Sequence, residues 1–333
     1  MKLKPNRIQK VLLASALLFL VLTGWAQNTI DMSEMVLKLS QPVMFHEMGD
    51  KGFAVFDEGD EKIKCFNWDF KCTLQMPVKK GEGPGEAKGN IGSMAWVKDR
   101  IYWNCFFDYK IKIFKPDGIF EREVPIGFQP RKMIYRKNRL YAFKMNINPD
   151  ADTFSPGFIM DPLSLKTLSA ITVNAKLFDP KLYMGQGIML GMSSFYDMDE
   201  SGNIYVLNGT ANRLIQIGPN NKLIRNLELP YKDRKNVWKN SDNVVNISQL
   251  DYYQDIRVLK SGMYICFLKT IKENRAEKTR VYQTVVMKIS EKGKPLEKSI
   301  DGNYVIIGQW KDKVYLFETE EYKVVPVKCS EWK

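Results

Sequence analysis

A short apolar segment recurs six times along the chain, and this recurrence constrains the fold more than any other feature. The copies are GFAVF (52–56), RIYWN (100–104), RLYAF (139–143), NIYVL (203–207), GMYIC (262–266) and KVYLF (313–317). Five of them are centred on tyrosine, and the steps between their central residues are 48, 39, 64, 59 and 51 residues. A bounded but irregular period of this kind indicates one supersecondary unit repeated six times.

The residues around each copy define the repeated unit. A turn sequence such as KDR (98–100) or DESGN (199–203) precedes the segment, and a further alternating strand such as KIKIF (110–114) follows it. Four antiparallel strands in a unit that repeats radially form a propeller blade. The sequence therefore predicts an all-β, six-bladed β-propeller with four-stranded antiparallel blades. A β-sandwich would not need six similar units, and a parallel β-helix would need shorter and more regular ones.

The two ends of the chain predict how the ring closes. The last unit stops after its third strand near Val327, and a spare strand, MVLKL (35–39), precedes the first unit. We expect this N-terminal strand to join the last blade and close the ring, because closure removes exposed sheet edges.

The first 26 residues have the pattern of a secretory signal peptide. Four basic residues (Lys2, Lys4, Arg7, Lys10) precede an apolar run from 11 to 24, and Gly24-Trp25-Ala26 offers a cleavage site. We expect residues 1–26 to be removed, leaving residues 27–333 as a single propeller domain without a membrane span. The expected location is the periplasm, the cell surface or the extracellular space, and an uncleaved anchor is the alternative.

Charge and composition narrow the class of partner. The whole chain carries 50 basic and 38 acidic residues, and loss of residues 1–26 leaves 46 against 38, a net charge of +8. This modest basic balance favours acidic partners such as a glycan or an acidic protein. Nucleic acid is not expected for an exported protein without a basic helix or an RNA-binding motif. We expect a monomer.

The unit DESGNIYVL (199–207), together with GEGPGE (81–86) between the first two units, resembles the six-bladed propellers with NHL-type repeats that many Gram-negative bacteria export. The resemblance covers essentially the whole chain after residue 26. It implies a propeller fold, but it implies no particular activity, because this fold hosts many functions.

Two motifs that suggest ligand loops fail on inspection. In KKGEGPGEAKGN (79–90), Gly85 is followed by Glu86 and Ala87 rather than by Lys and Ser or Thr, and the stretch lacks the third glycine of a dinucleotide fingerprint. We interpret it as a joint between blades. Asp197 and Asp199 begin a pattern like that of a calcium loop, but Asn208 stands where a bidentate Glu is required. A hairpin turn is the better interpretation.

Candidate ligand-binding residues come from the predicted innermost strands and one insertion. The innermost strands place six side chains near the mouth of the channel: Arg131, Lys132, Tyr196, Asp197, Asp255 and Arg257. Two long insertions, 172–193 and 230–250, precede innermost strands and should emerge on the same rim as the 77–91 loop. The second interleaves basic residues with Tyr231 and Trp238, and such a composition suits stacking on a sugar or pairing with an acidic partner.

We therefore expect an exported binding or scaffold propeller with no cofactor and no catalytic residues, whose ligand sits on the loop-rich rim and the channel mouth. The alternative is a calcium-dependent lactonase-like or hydrolase-like propeller, with Glu47, Asn104, Asp197 and Asp255 at the channel. A single histidine, His46, argues against propeller lyases that use several histidines, and no Cys/His zinc site is expected. Cys65 and Cys72 bracket a predicted hairpin turn, so a disulfide between them is conceivable but not required.

Overall fold

The computed structural model describes residues 37–106, 108–144, 153–174, 194–209, 212–239, 245–274, 279–290 and 293–332. Of the strand residues 153–154, 173–174, 235–239, 245–250 and 274, only the backbone is described. The N-terminal segment 1–26, the spare-strand residues 35 and 36, and most of the 172–193 insertion lie outside these ranges.

Every blade is an antiparallel sheet built from strands that are consecutive in the chain. Blade one contains β1 (Pro42–Glu47), β2 (Phe53–Asp57), β3 (Lys62–Phe66) and β4 (Cys72–Pro77). Blade two contains β5 (Ile91–Val97), β6 (Arg100–Cys105), β7 (Lys110–Phe114) and β8 (Phe120–Pro125). Blade three contains β9 (Pro130–Arg136), β10 (Arg139–Lys144), β11 (Thr153–Met160) and β12 (Thr167–Asn174).

The second half of the ring follows the same plan with two changes. Blade four contains β13 (Ser194–Met198), β14 (Ile204–Asn208), β15 (Arg213–Ile217) and β16 (Leu223–Glu228). Blade five contains β17 (Arg234–Lys239), β18 (Val245–Leu259), β19 (Gly262–Asn274), β20 (Thr279–Ile289) and β21 (Pro295–Asp301). Blade six contains β22 (Tyr304–Trp310), β23 (Lys313–Glu318) and β24 (Val324–Lys328).

The innermost strands form a closed ring. Contacts run from β1 to β5, β9, β13, β18 and β22, and β22 in turn contacts β1. Six apolar clusters, one for each pair of neighbouring blades, fill the space between the sheets. Each copy of the recurrent apolar segment lies on the strand that follows the innermost strand of its blade. The prediction of an all-β, six-bladed propeller is confirmed.

Ring closure uses the N-terminal segment at residue 37. The backbone N–H of Leu37 donates a hydrogen bond to Tyr322 O at 3.3 Å, and its side chain is 4% exposed. Leu37 packs in one apolar cluster with Phe53 of blade one and Phe317 of blade six. Residues 37–39 make this contact without forming a strand, so the described part of blade six has three strands.

Blade five differs from the prediction because part of its insertion is a hairpin rather than a loop. The first part of β18 pairs with β17, from Trp238 opposite Asn246 to Arg234 opposite Asp251. The second part of β18 is the innermost strand of the blade. Asp251 lies at the junction, where it accepts a hydrogen bond from the Thr270 N–H at 2.8 Å and forms an ion pair with Arg234 at 2.8 Å. This extension rises above the rim where the innermost strands begin, which we call the upper rim.

The glycine-rich stretch 79–90 joins β4 to β5, as expected for a joint. The N–H of Gly83 donates a hydrogen bond to a Glu86 carboxylate oxygen at 2.9 Å, so the loop provides its own anion. Gly85 has a φ of +76°, and a Cβ there would lie 2.7 Å from the Phe120 ring. The glycines serve close packing rather than phosphate binding.

Cys65 and Cys72 are both free. In the ladder between β3 and β4, Cys65 lies opposite Leu74 and Cys72 lies opposite Phe66. An irregularity in the register between Cys65 and Phe66 removes the direct pairing that a hairpin disulfide would need.

Candidate functional site: the central channel

The six innermost strands surround two cavities, one above the other. The upper cavity has a volume of about 330 Å³ and is lined by the first residues of the innermost strands. The lower cavity has a volume of about 610 Å³ and is lined by the last residues of these strands and the turns that follow. His46, Lys132 and Arg257 line both cavities, so they form the constriction between them.

The six channel residues expected from the sequence come together in this region. Arg131, Tyr196 and Asp255 line the upper cavity, and Asp197 lines the lower one. Lys132 and Arg257 belong to the constriction. The backbone of Trp238 lies in β17 of the extension above the upper rim. Its side chain is outside the described part of the chain, so its role as a sugar-stacking residue stays a prediction.

Two ion pairs hold the constriction together. The Arg257 guanidinium lies 2.8 Å from a carboxylate oxygen of Asp255, and it also donates to Phe45 O at 3.3 Å. Lys132 Nζ lies 3.5 Å from Asp197 Oδ1, and Asp197 Oδ2 accepts the Val258 N–H at 2.7 Å. Burial lowers the pKa of Lys132. Burial alone would also lower the pKa of Arg257, but the surrounding carboxylates outweigh it and raise that pKa.

His46 is a neutral member of the constriction. Burial, together with the positive charges of Arg257 and Lys132, lowers its pKa to about 3. The N–H of Trp96 donates a hydrogen bond to His46 Nε2 at 3.3 Å, so the ring proton belongs on Nδ1. A histidine in this state adds no positive charge near neutral pH.

Glu47 is a partly buried carboxyl group at the constriction whose pKa is shifted upward. Burial raises its pKa to about 6, against the lowering effect of a hydrogen bond from the Gln309 N–H at 3.2 Å. Gly308 makes room for this side chain, since a Cβ at Gly308 would lie 2.8 Å from Glu47 Cδ. Glu47 lines the lower cavity.

The acids named for the calcium alternative do not converge on one point. Asp197 and Asp255 each face a cation, and Glu47 accepts a backbone N–H. Asn104 is buried at the end of β6, where its side-chain amide donates to the carbonyl oxygens of Cys105 and Pro130. Within the described residues, no group of three or more His, Cys, Asp or Glu side chains has an arrangement that could hold a metal ion.

Asp199 caps a hairpin turn, as the sequence suggested. Its carboxylate accepts hydrogen bonds from the Asn203 N–H at 2.9 Å and from the Tyr205 hydroxyl at 2.9 Å. These contacts join β13 to β14 and account for the residues that imitate a calcium loop.

The upper cavity contains buried polar atoms that make no hydrogen bond to the described residues. They include the Tyr196 hydroxyl and Gln254 Oε1. The Arg131 guanidinium lies over the Phe195 ring at 4.7 Å from its centre. Sequence reasoning missed Gln254 and Phe195, although both precede predicted channel residues by one position and could have been found by extending the innermost strands upward.

Comparisons with known proteins place the fold but not the activity. No protein-family model matches the chain, and no curated protein matches it. Among solved structures, a DUF4221 family member from Bacteroides vulgatus has a TM-score of 0.59 at 11% identity, over 89% of this chain and 93% of that one.

Two further structures extend the comparison. A Bacteroides fragilis protein described as exported has a TM-score of 0.52 at 14% identity, over 87% of this chain and 81% of that one. Hydrazine synthase of Kuenenia stuttgartiensis has a TM-score of 0.51 at 10% identity, over 91% and 81%. Identities this low support a shared propeller fold alone. In the described ranges, no helix has the length and apolar character needed to cross a membrane.

Proposed function

We propose that this chain is an exported six-bladed propeller that binds a ligand at its upper rim and at the mouth of the upper cavity. The observation that carries the proposal is the cavity of about 330 Å³ lined by a cation and by buried polar atoms without partners among the described residues. Leaving such atoms unsatisfied costs free energy, and a ligand that pairs with them recovers it. The β17–β18 hairpin of blade five continues β18 beyond the start of the innermost strand on this side of the ring.

Export rests on the sequence of the first 26 residues, and a Bacteroides fragilis protein of similar fold is also described as exported. The NHL-type relationship is part of the same proposal. To test export, the full chain can be expressed in a Gram-negative host, fractionated and analysed by intact mass measurement. We expect a periplasmic or cell-surface product that begins at Gln27. A cytoplasmic product that retains residues 1–26 would contradict export.

Ligand binding at the upper rim can be tested without knowing the natural ligand. We would screen residues 27–333 by thermal shift against neutral oligosaccharides, acidic oligosaccharides and a polyglutamate peptide. A compound that binds the folded state raises the melting temperature by mass action. Hydrogen exchange with a positive compound should then show protection at the upper ends of β1, β9, β13 and β18. Protection confined to the outermost strands β4, β8 and β16 would contradict the proposed location.

The calcium-dependent hydrolase remains the second candidate, and a separate experiment addresses it. A melt of residues 27–333 with EDTA, followed by calcium add-back, reports any ion bound to the folded state. Because Asp197 and Asp255 already pair with cations of the chain, we expect the melting temperature not to change. A decrease in EDTA that calcium reverses would favour the hydrolase and justify a screen of lactone substrates.

A further inference from the structure

One cation that lines the upper cavity, Arg131, has no ion-pair partner among the described residues. The charged side chains that line it are Arg131, Lys132, Arg257 and Asp255. Arg257 pairs with Asp255, and Lys132 pairs with Asp197 just below the constriction. Arg131 has no ion-pair partner within the described ranges, and burial lowers its pKa. Arg131 is therefore a cation without an ion-pair partner in a partly desolvated position, where an anion binds more strongly than in water.

The guanidinium of Arg131 is held in a way that keeps its donors available. Its Cζ lies over the Phe195 ring at 4.7 Å from the ring centre, and its N–H groups make no hydrogen bond to another side chain or to the backbone within the described ranges. A planar guanidinium with free N–H groups matches the geometry of a carboxylate, which it binds through two parallel hydrogen bonds. Asp255 forms its ion pair with Arg257 at 2.8 Å and accepts the Ile256 N–H at 2.9 Å, and within the described ranges it forms no ion pair with Arg131.

Two neutral groups in the same cavity can form hydrogen bonds with the hydroxyls of a ligand. Gln254 donates from Nε2 to Asn303 Oδ1 at 2.7 Å, and this bond fixes Oε1 as an acceptor that has no donor among the described residues. Tyr196 is 1% exposed, and burial raises its pKa to about 12, so its hydroxyl is neutral. It lies beside the Ser194 hydroxyl, whose oxygen also accepts a hydrogen bond from the Asn208 side-chain amide at 3.0 Å. A ligand that satisfies these groups carries hydroxyls as well as an anion.

Much of the remaining wall is apolar, with Phe45, Phe106 and Met94, and the polar residues Ser93 and Thr319 also line it. A volume of about 330 Å³ lies at the small end of the range for small-molecule sites, which starts at roughly 300 Å³. Apolar walls suit the C–H face of a sugar ring, and they offer nothing to an inorganic anion.

We propose that the upper cavity binds a small acidic sugar, with its carboxylate on Arg131 and its hydroxyls on Gln254 and Tyr196. This assignment rests on the proposed function, because it names the ligand class for the same channel mouth. Inorganic phosphate or sulfate could satisfy Arg131 but would leave the apolar walls and the Gln254 acceptor less well matched.

Isothermal titration calorimetry of residues 27–333 with galacturonate and glucuronate tests the assignment, with galactose and glucose as matched neutral sugars. We expect at least one uronate to bind and its neutral counterpart to bind at least about tenfold more weakly, since a hydrogen-bonded charge contributes that much. Arg131→Gln should weaken uronate binding by at least about tenfold. Arg131→Lys, which keeps the charge but loses the planar fork, should recover part of this loss.

The matched control is Arg139→Gln, which makes the same change of charge at an exposed residue on β10. It should leave uronate affinity unchanged, and equal melting temperatures of the two variants would exclude a folding defect. Gln254→Leu should weaken binding of the uronate by about threefold to tenfold, because it removes one neutral hydrogen bond.

Three results would overturn the acidic-sugar assignment. One is uronate affinity that survives Arg131→Gln, and another is equal affinity for the uronate and its neutral counterpart. The third is that neither uronate binds, whether or not phosphate or sulfate binds at Arg131. None of these would remove the proposed function, which fails only if the oligosaccharide and peptide panel gives no protection at the upper rim.

Discussion

At the scale of single residues, burial at the constriction shifts the pKa values of two neighbouring residues, His46 and Glu47, in opposite directions. His46 and Glu47 are adjacent in β1, and burial disfavours the charged form of each. For the histidine this lowers the pKa, and for the carboxyl group it raises the pKa. Near neutral pH the histidine is uncharged, while the carboxyl group is ionised at a cost in stability.

Glu47→Gln should make stability less dependent on pH. The pKa of Glu47 rises from 4.5 in the unfolded chain to about 6 in the folded one. As the pH increases through this window the unfolded chain loses its proton first, so the free energy of unfolding decreases and then stays lower above pH 6. For a fully buried group, this shift in pKa would lower the free energy of unfolding by about 2 kcal/mol. Because Glu47 is partly exposed, we expect a decrease of about 1 kcal/mol.

Urea denaturation at pH 4 and pH 8 checks this expectation. The glutamine retains an acceptor for the Gln309 N–H. At pH 8 the variant should be more stable than the wild type by about 1 kcal/mol, and at pH 4 the two should be equal. The same difference at both pH values would show that Glu47 does not titrate in this window.

At the scale of elements, β3 and β7 share the pattern K-I-K-x-F and a buried lysine at its third position. Lys64 and Lys112 each pair with an acid four residues earlier, Asp60 and Asp108. The third strand of a blade is enclosed between neighbouring sheets, so a charge there needs a partner of its own. In β15 the third position is the apolar Ile215, which is fully buried and needs no charged partner. The next residue, Gln216, donates a hydrogen bond to the Tyr205 hydroxyl at 3.0 Å.

Asp57→Ala should destabilise the protein by about 3 kcal/mol, because it leaves the buried ammonium of Lys64 without its main partner. Asp57 is fully buried and accepts from Lys64 at 2.7 Å and from the N–H groups of Ser40 and Gln41 at 2.9 and 2.6 Å. Burial alone would raise its pKa, but these hydrogen bonds outweigh it and lower the pKa.

The matched control for this change is Asp60→Ala, made at the second acid that contacts Lys64. Asp60 has 40% of its side chain exposed, so its loss should reduce the free energy of unfolding by less than about 1 kcal/mol. Chemical denaturation of both variants at pH 7 measures the difference. Equal losses would mean that Asp57 has no special role in holding Lys64.

At the scale of the whole molecule, closure of the ring depends on a contact between segments that are 280 or more residues apart. Besides the Leu37 hydrogen bond, the Tyr322 hydroxyl donates to Ser40 O at 2.9 Å. Aromatic rings also cross this boundary, with Phe45 and Phe317 at 4.5 Å and Trp68 and Tyr315 at 5.3 Å. A ring that opens anywhere would expose an apolar blade face, so this last interface matters for the stability of all the others.

Leu37→Ala should reduce the free energy of unfolding by about 2–3 kcal/mol, the usual result of truncating a buried leucine. Leu163→Ala, at a leucine that is 51% exposed, is the control and should change stability by less than about 0.5 kcal/mol. Urea denaturation of both variants gives the comparison. If Leu37→Ala were no worse than Leu163→Ala, the N-terminal segment would not contribute to closure.

Many of the residues that line the channel could be predicted from the sequence, because the turn after each innermost strand shows where that strand lies in the chain. The turn before each tyrosine-centred segment sets where the innermost strand ends, and this placed Arg131, Lys132, Tyr196, Asp197, Asp255 and Arg257 near the channel. The β17–β18 hairpin was not predicted, because KDRKNVWKN (232–240) contains many charged residues and lacks the alternation of apolar and polar residues that indicates a strand.

The sequence by itself determined the all-β class, the six units and the strand that faces the axis in each, because alternation, turns and repeat period are local properties of the chain. Only the tertiary structure decided which side chains meet. Arg131 reaches Phe195 across 64 positions, and Val258 reaches Asp197 across 61, because each innermost strand meets the next blade of the ring at the axis. Pairings of this kind depend on the rotation from blade to blade, and no local pattern in the sequence encodes it.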